Sequence, residues 1–206
     1  MRSIDFEDIL HAVRAIEQLT DAKKIYVVGS ASMLASSEIN SLITGDIDIM
    51  ILEENPRVNT IAPSIGECSR FENTFGFYVD EIPEGSIHLP EGWAQRCLCK
   101  EITDIYGATY TVCILSPIDL ATVKIGSHRQ RDREQVARLL NSHAVTADEI
   151  KENLHWNFCH TEEEYNRALK TLDGIMANEV KGRRVTWSAD GRSRTEQSDY
   201  ENHDDR

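Results

Sequence analysis

VVGSASMLASSEINSLITGDIDIMI, residues 27–51, decides the fold. It continues an apolar, β-branched run that starts at Ile25, of the kind that forms a strand buried on both faces. Gly29-Ser30 ends that run at Val28, and the following ASMLASSEI favours a helix. DIDIMIL (46–52) then reads as a second strand, stopped by Glu53-Glu54-Asn55-Pro56. Residues two apart in a strand point the same way, so Asp46 and Asp48 share one face while Ile47 and Ile49 enter the core. Two neighbouring carboxylates repel, which makes them poor for stability. They are well suited to Mg²⁺, a hard cation held through one or two carboxylates plus substrate phosphates. The Gly29-Ser30 turn supplies the complementary half: with no side chain at Gly29 the backbone can approach a phosphate, and N–H groups opening a helix favour anions. A plainer alternative stays open, in which the two Asp line the solvent face of an edge strand and Gly-Ser is a tight turn.

Outward from this stretch, IDFEDILHAVRAIEQL (4–19) places Ile4, Ile9, Leu10, Val13, Ile16 and Leu19 at helical spacing, an opening amphipathic helix. FGFYVDEI (75–82) alternates like a strand before the Pro83-Glu84-Gly85 turn, and residues 97–105 and 108–115 read as a hairpin joined through Tyr106-Gly107. After Ser116-Pro117 the pattern turns helical. Ser116 with Asp119, Thr146 with Glu149, and Thr161 with Glu164 each fit a capping-box start. Residues 1–115 thus form an α/β core, 116–180 a helical region, and 181–206 a polar tail expected to be disordered.

Acids outnumber bases, 35 Asp+Glu against 22 Lys+Arg in 206 residues, and the formal net charge of −13 excludes a nucleic-acid binder that works by overall positive charge. A local basic patch survives that test, and Arg129, Arg131 and Arg133 with His128 form one. No apolar run is long enough to span a bilayer, and MRSIDFEDIL has acids where a secretory signal has basic and apolar blocks; a cytoplasmic protein is expected. The cysteines are Cys68, Cys97, Cys99, Cys113 and Cys159, with no Cys-x-x-Cys. Cys97 and Cys99 are expected on one strand face, as two reduced thiols or, alternatively, part of a zinc site.

Residues 27–51 also resemble the signature of the nucleotidyltransferase superfamily that includes DNA polymerase β: an apolar strand, Gly-Ser, a helix, then Asp-x-Asp between apolar residues. LSPIDLATVKIGSHRQRDREQVARLL (115–140) is similar to a downstream motif of bacterial nucleotidyltransferase-like proteins related to AbiEii toxins, in which Leu-Ser-Pro-x-Asp-Leu leads to a Lys, an Arg and an Asp. These fall on Lys124, Arg129 and Asp132, and a Val-Asp strand end common in such proteins falls on Asp80. The resemblance spans about residues 20–140. It implies an α+β, mixed-sheet nucleotidyltransferase fold followed by a helical C-terminal half. It also implies transfer of a nucleoside monophosphate from an NTP to an acceptor, with Mg²⁺ on Asp46 and Asp48. Gly29, Ser30, Thr44, Lys124 and Arg129 become the expected phosphate contacts, and Asp80 or Asp132 the expected completion of the metal or base set. The same resemblance implies RNA, including the tRNA 3′ end, as acceptor, and an antitoxin protein as partner. The chain departs from the pattern twice: Leu42-Ile43 stand ahead of Thr44 where an Arg is frequent, and His128 stands where Gly is usual. A fold that binds nucleotide or protein without turnover, and an adenylyltransferase acting on a small cationic molecule, are the two other readings of the same residues.

Overall fold

The structure, a computed structural model, describes residues 3–35, 39, 42–54, 57–103, 107–127, 129–154, 161–180, 183–187 and 193–197. The opening apolar stripe folds as α1 (Phe6–Thr20), except that Ile4, expected in the helix, pairs with Leu42 in a two-residue strand, β1 (Ser3–Ile4), because Asp5 caps the helix after it. Asp5 and Asp8 close a reciprocal capping box, each carboxylate accepting the other's backbone N–H at 3.1 Å. Ile9, Ala12, Val13 and Ile16 on its inner face are fully buried.

A five-stranded sheet is built from β2 (Lys24–Val27), β4 (Asp46–Met50), β5 (Tyr78–Glu81), β6 (Leu98–Thr103) and β7 (Thr109–Ile114), in the spatial order β5-β4-β2-β7-β6. β2 is central, parallel to β7 and antiparallel to β4. β5 runs parallel to β4, and β6 closes an antiparallel hairpin with β7, so the sheet is mixed. β3 (Leu42–Ile43) pairs apart from it, with β1. The near-continuous apolar run of β2 follows from its central place. Ile25 and Val27 join α1 and Ile47 in the main core, while Tyr26 packs with Val28, Met50 and Cys113 on the opposite face.

Two local expectations change. Gly29-Ser30 leads into a 3₁₀ segment, Ser30–Ala35, rather than an α-helix, because Ser32 donates both its N–H (3.2 Å) and its hydroxyl (2.7 Å) to the Gly29 carbonyl and tightens the turn. The strand expected over 75–82 begins at Tyr78. Ser69 caps a short helix that takes Phe75, and Gly76 ends that helix in left-handed backbone at φ 77°. With α2 (Ile61–Ile65), this helix is α3 (Arg70–Phe75), and α4 (Trp93–Arg96) precedes β6.

The helical half comprises α5 (Pro117–Ile125), α6 (Gln130–Asn141), α7 (Ala147–Asn153) and α8 (Glu162–Asn178). Ser116, Thr146 and Thr161 accept the backbone N–H of Asp119, Glu149 and Glu164, as their spacing predicts. Leu120, Ile125, Val136, Leu139, Ile150, Leu172 and Ile175 belong to the same core cluster as Ile9, Val27 and Ile47. The architecture is the α+β one expected, a mixed sheet followed by helices. Within 181–206, expected to be disordered, β8 (Arg183–Trp187) pairs antiparallel with β9 (Ser193–Gln197). His128 and the aromatic stretch 155–160 lie outside the described residues. No helix among the described residues is long and apolar enough to cross a membrane.

The cysteine expectation is corrected. Register sets Cys99 directly opposite Cys113 in the hairpin, with Cα atoms 4.0 Å apart, and the two form a disulfide. Cys97 lies one residue before β6 and turns back, its thiol donating to the Trp93 carbonyl at 3.4 Å. The two therefore do not act as a pair on one strand face.

Candidate active site

On β4, Asp46 and Asp48 stand half-buried on one face while Ile47 and Ile49 are fully buried on the other. Parallel pairing sets Asp46 beside Tyr78 and Asp48 beside Asp80, bringing the third expected carboxylate to the same face. Burial, followed by the negative charges of Asp46 and Asp80, pushes the Asp48 carboxyl up from 3.8 to about 6, against the opposing pull of Lys124 and Arg131. The Tyr78 hydroxyl is pushed up as well, by burial and by Asp46, Glu67, Asp80 and Glu72.

Asp48 is fitted against the Gly29 turn. Gly29 has φ 61°, a conformation that disfavours any side chain, and a Cβ placed on it would overlap the Asp48 carboxylate, whose Cγ would lie at 2.7 Å. Val28 N–H donates to the Asp48 carbonyl at 2.9 Å, locking β4 to the end of β2. Glycine is thus required here for backbone freedom and for space.

Behind the acidic face lies a set of contacts from α5 and α6. The buried Lys124 ammonium donates to Asp132 Oδ1 at 2.7 Å and to Ser30 Oγ at 3.3 Å. Ser127 donates to the other Asp132 oxygen at 2.5 Å. Burial alone would raise Asp132, but the Lys124 and Ser127 hydrogen bonds and the charges of Lys124 and Arg129 outweigh it and hold the carboxyl below its usual range. Gln135 Nε2 donates to Ser30 Oγ at 3.1 Å, so Ser30 is held from two helices. Asp132 is therefore the counter-ion that aims Lys124 at the Gly-Ser turn. It does not join Asp46 and Asp48.

Thr44, expected as a phosphate contact, is fully buried and donates to Asp46 Oδ1. Arg131 Nη2 in turn donates to Thr44 Oγ1 at 2.9 Å and to the Ile43 carbonyl at 3.2 Å. The cation that Leu42-Ile43 do not supply ahead of Thr44 reaches it from α6. The basic cluster read from the sequence is thereby divided. Arg129 precedes α6, exposed, with its backbone N–H on Ser127 Oγ, and Arg133 lines a cleft of about 350 Å³ with Arg167, Lys170 and Thr171 of α8.

Asp46 and Asp48 could hold a divalent cation. They share a face, Asp48 lies against a turn with no side chain, and a cation would offset both the burial and the neighbouring Asp46 and Asp80 charges that lift Asp48. Among the described residues no group of three or more His, Cys, Asp or Glu side chains is placed to hold a metal ion. Such a site would therefore consist of two carboxylates completed by substrate oxygens, the arrangement Mg²⁺ accepts.

Gln135 is the contributor that sequence reasoning passed over, and Arg131 was read only as part of a basic patch, not as a partner of Thr44. Their i, i+4 spacing puts them on one helix face, but their partners lie 87 and 105 residues away, and no local pattern announces them. No curated protein and no solved structure matches the chain. A family model does: "nucleotidyltransferase of unknown function (DUF6036)" matches residues 5–181, a span that takes in the acidic strand, the glycine turn and the helices that back them. With most of its length covered by that match, the chain belongs to this nucleotidyltransferase family.

Proposed function

We propose that the protein moves a nucleoside monophosphate from an NTP onto an acceptor hydroxyl. The observation that carries this is the Asp46–Asp48 pair on one face of β4, with Asp48 set against the Gly29 turn and Asp80 beside it by register. Asp46 and Asp48 would hold Mg²⁺, which when bound stabilises charge on the attacking and leaving oxygens of an in-line displacement. The Gly29-Ser30 turn would bind the phosphates through its backbone N–H groups. Lys124, already directed at Ser30 by Asp132, neutralises charge on the departing pyrophosphate. Asp80, beside Asp48 by register, takes the proton from the attacking hydroxyl. The acceptor oxygen forms its bond to the α-phosphorus as the bond to pyrophosphate breaks.

For the acceptor we propose RNA, including the tRNA 3′ end, with an antitoxin as protein partner; both rest on the AbiEii-like resemblance of residues 115–140. Exposed Arg129 and the Arg133–Arg167–Lys170 cleft offer such an acceptor cations. On a chain of net charge −13 its binding should be weak and salt-sensitive. A second acceptor class is favoured by one observation: Glu67, Glu72 and Asp80 crowd Tyr78 beside Asp46, a setting that attracts a small cationic molecule. Incubation with each α-labelled NTP, Mg²⁺, and either total RNA or a panel of amino-sugars separates the two. Label in RNA that disappears in Asp46→Asn supports the first, and label in the small molecule supports the second. Mg²⁺-dependent NTP binding with no labelled product in any arm would sink turnover altogether.

A further inference from the structure

The hydroxyl of Thr44 has one proton to give and can turn to either side. It is buried, and it faces Asp46 Oδ1 on one side and Arg131 Nη2 on the other. A guanidinium only donates. Arg131 therefore occupies the accepting side of Thr44 Oγ1 at 2.9 Å and obliges the hydroxyl proton to point at Asp46. A second bond from the same nitrogen, to the Ile43 carbonyl at 3.2 Å, anchors the guanidinium to the backbone just ahead of β4. Among the described residues, these are the hydrogen bonds Arg131 makes. One nitrogen of an otherwise exposed guanidinium is thus committed to the turn that carries Asp46.

We propose that Arg131 is a positioning residue: through Thr44 it fixes which way the Asp46 carboxylate faces, and so presents that carboxylate for metal binding. This rests on the reading of Asp46 as a metal ligand. The consequence reaches across the molecule, since α6 supplies Arg131 to the Asp46 turn, Asp132 to Lys124 and Gln135 to Ser30. The acidic face is complete only when this helix from the C-terminal half is docked against it.

Mn²⁺ titration of the metal-free full chain, followed by electron paramagnetic resonance, tests the proposal without turnover. Arg131→Ala and Thr44→Val should each weaken Mn²⁺ binding by roughly 10- to 100-fold, the range for partners that orient a metal ligand. The double variant should be no weaker than the worse single one, and Arg131→Lys, which can still donate to Thr44, should recover part of the loss. Charge alone makes the opposite prediction, because deleting a cation beside two carboxylates tightens a divalent ion. Tighter binding in Arg131→Ala, or losses that add in the double variant, would overturn the proposal. If the wild-type chain binds no Mn²⁺, the metal reading of Asp46 fails, and the carboxyl ¹³C resonance of Asp46 decides the role of Arg131. A similar displacement in Arg131→Ala and Thr44→Val upholds the positioning contact, and an unmoved resonance removes it.

Discussion

Asp48 is the residue at which fold and chemistry oppose each other. Its carboxyl stands at about 6 in the folded protein, raised by burial and by Asp46 and Asp80, against an ordinary value of 3.8. A pKa raised on folding favours the folded state while the group is protonated, and that advantage is lost as pH rises from about 4 through 6. Ionising Asp48 at neutral pH therefore costs up to about 3 kcal/mol. Asp48→Asn should stabilise the metal-free protein by up to that amount at pH 7.5 and by nothing near pH 4, read from urea midpoints at the two values. An equal effect at both pH values would mean that Asp48 is not penalised by its surroundings. The pairing of Asp46 with Asp48 on one face was legible in the sequence because strand alternation is a local rule. The penalty was not legible: Asp80 meets Asp48 through pairing of β5 with β4, two segments separated in the chain by a 3₁₀ turn and two α-helices.

At the scale of elements, the joint between α4 and α5 shows which polar contacts matter. Asp119 is fully buried, with Arg96 Nε on both its oxygens at 3.0 and 3.2 Å, Ser116 Oγ at 2.5 Å and Asn153 Nδ2 at 3.3 Å. Arg96→Met would strand that carboxylate without its counter-charge, and should cost about 3–5 kcal/mol in denaturant unfolding. Lys151→Ala removes a pair that is 3.9 Å long and exposed on both sides, and should change stability by no more than about 0.5 kcal/mol. Similar losses for both would show that burial of Asp119 is incomplete in solution. The β6–β7 hairpin adds the Cys99–Cys113 bond, which closes a loop of 14 residues. Reductant should lower the unfolding free energy by about 3 kcal/mol by the chain-entropy relation. An unchanged midpoint with and without reductant would show the thiols to be unpaired. Cysteine spacing pointed to Cys97 and Cys99 as the related pair; hairpin register paired Cys99 with Cys113, because cross-strand neighbours are set by the turn and not by distance along the chain.

For the whole molecule, one apolar cluster runs from Ile4 and α1, through Val27 and Ile47, to Leu172 and Ile175 of α8. The α/β part and the helices should therefore melt together in a single calorimetric transition, and two resolved transitions would divide that core. The same continuity explains what could be read early and what could not. The sequence by itself determined the elements that rest on contacts a few residues long: the α1 stripe, the caps at Ser116, Thr146 and Thr161, and the alternation that turns Asp46 and Asp48 away from Ile47 and Ile49. Tertiary structure alone decided which polar side chains of the helices meet the hydroxyls beside the acidic strand. Lys124 joins Ser30 across 94 residues, Arg131 joins Thr44 across 87 and Gln135 joins Ser30 across 105. Such pairs depend on how α5 and α6 dock on the sheet, and docking follows the apolar faces those helices bury, so their polar partners are settled only when the core closes.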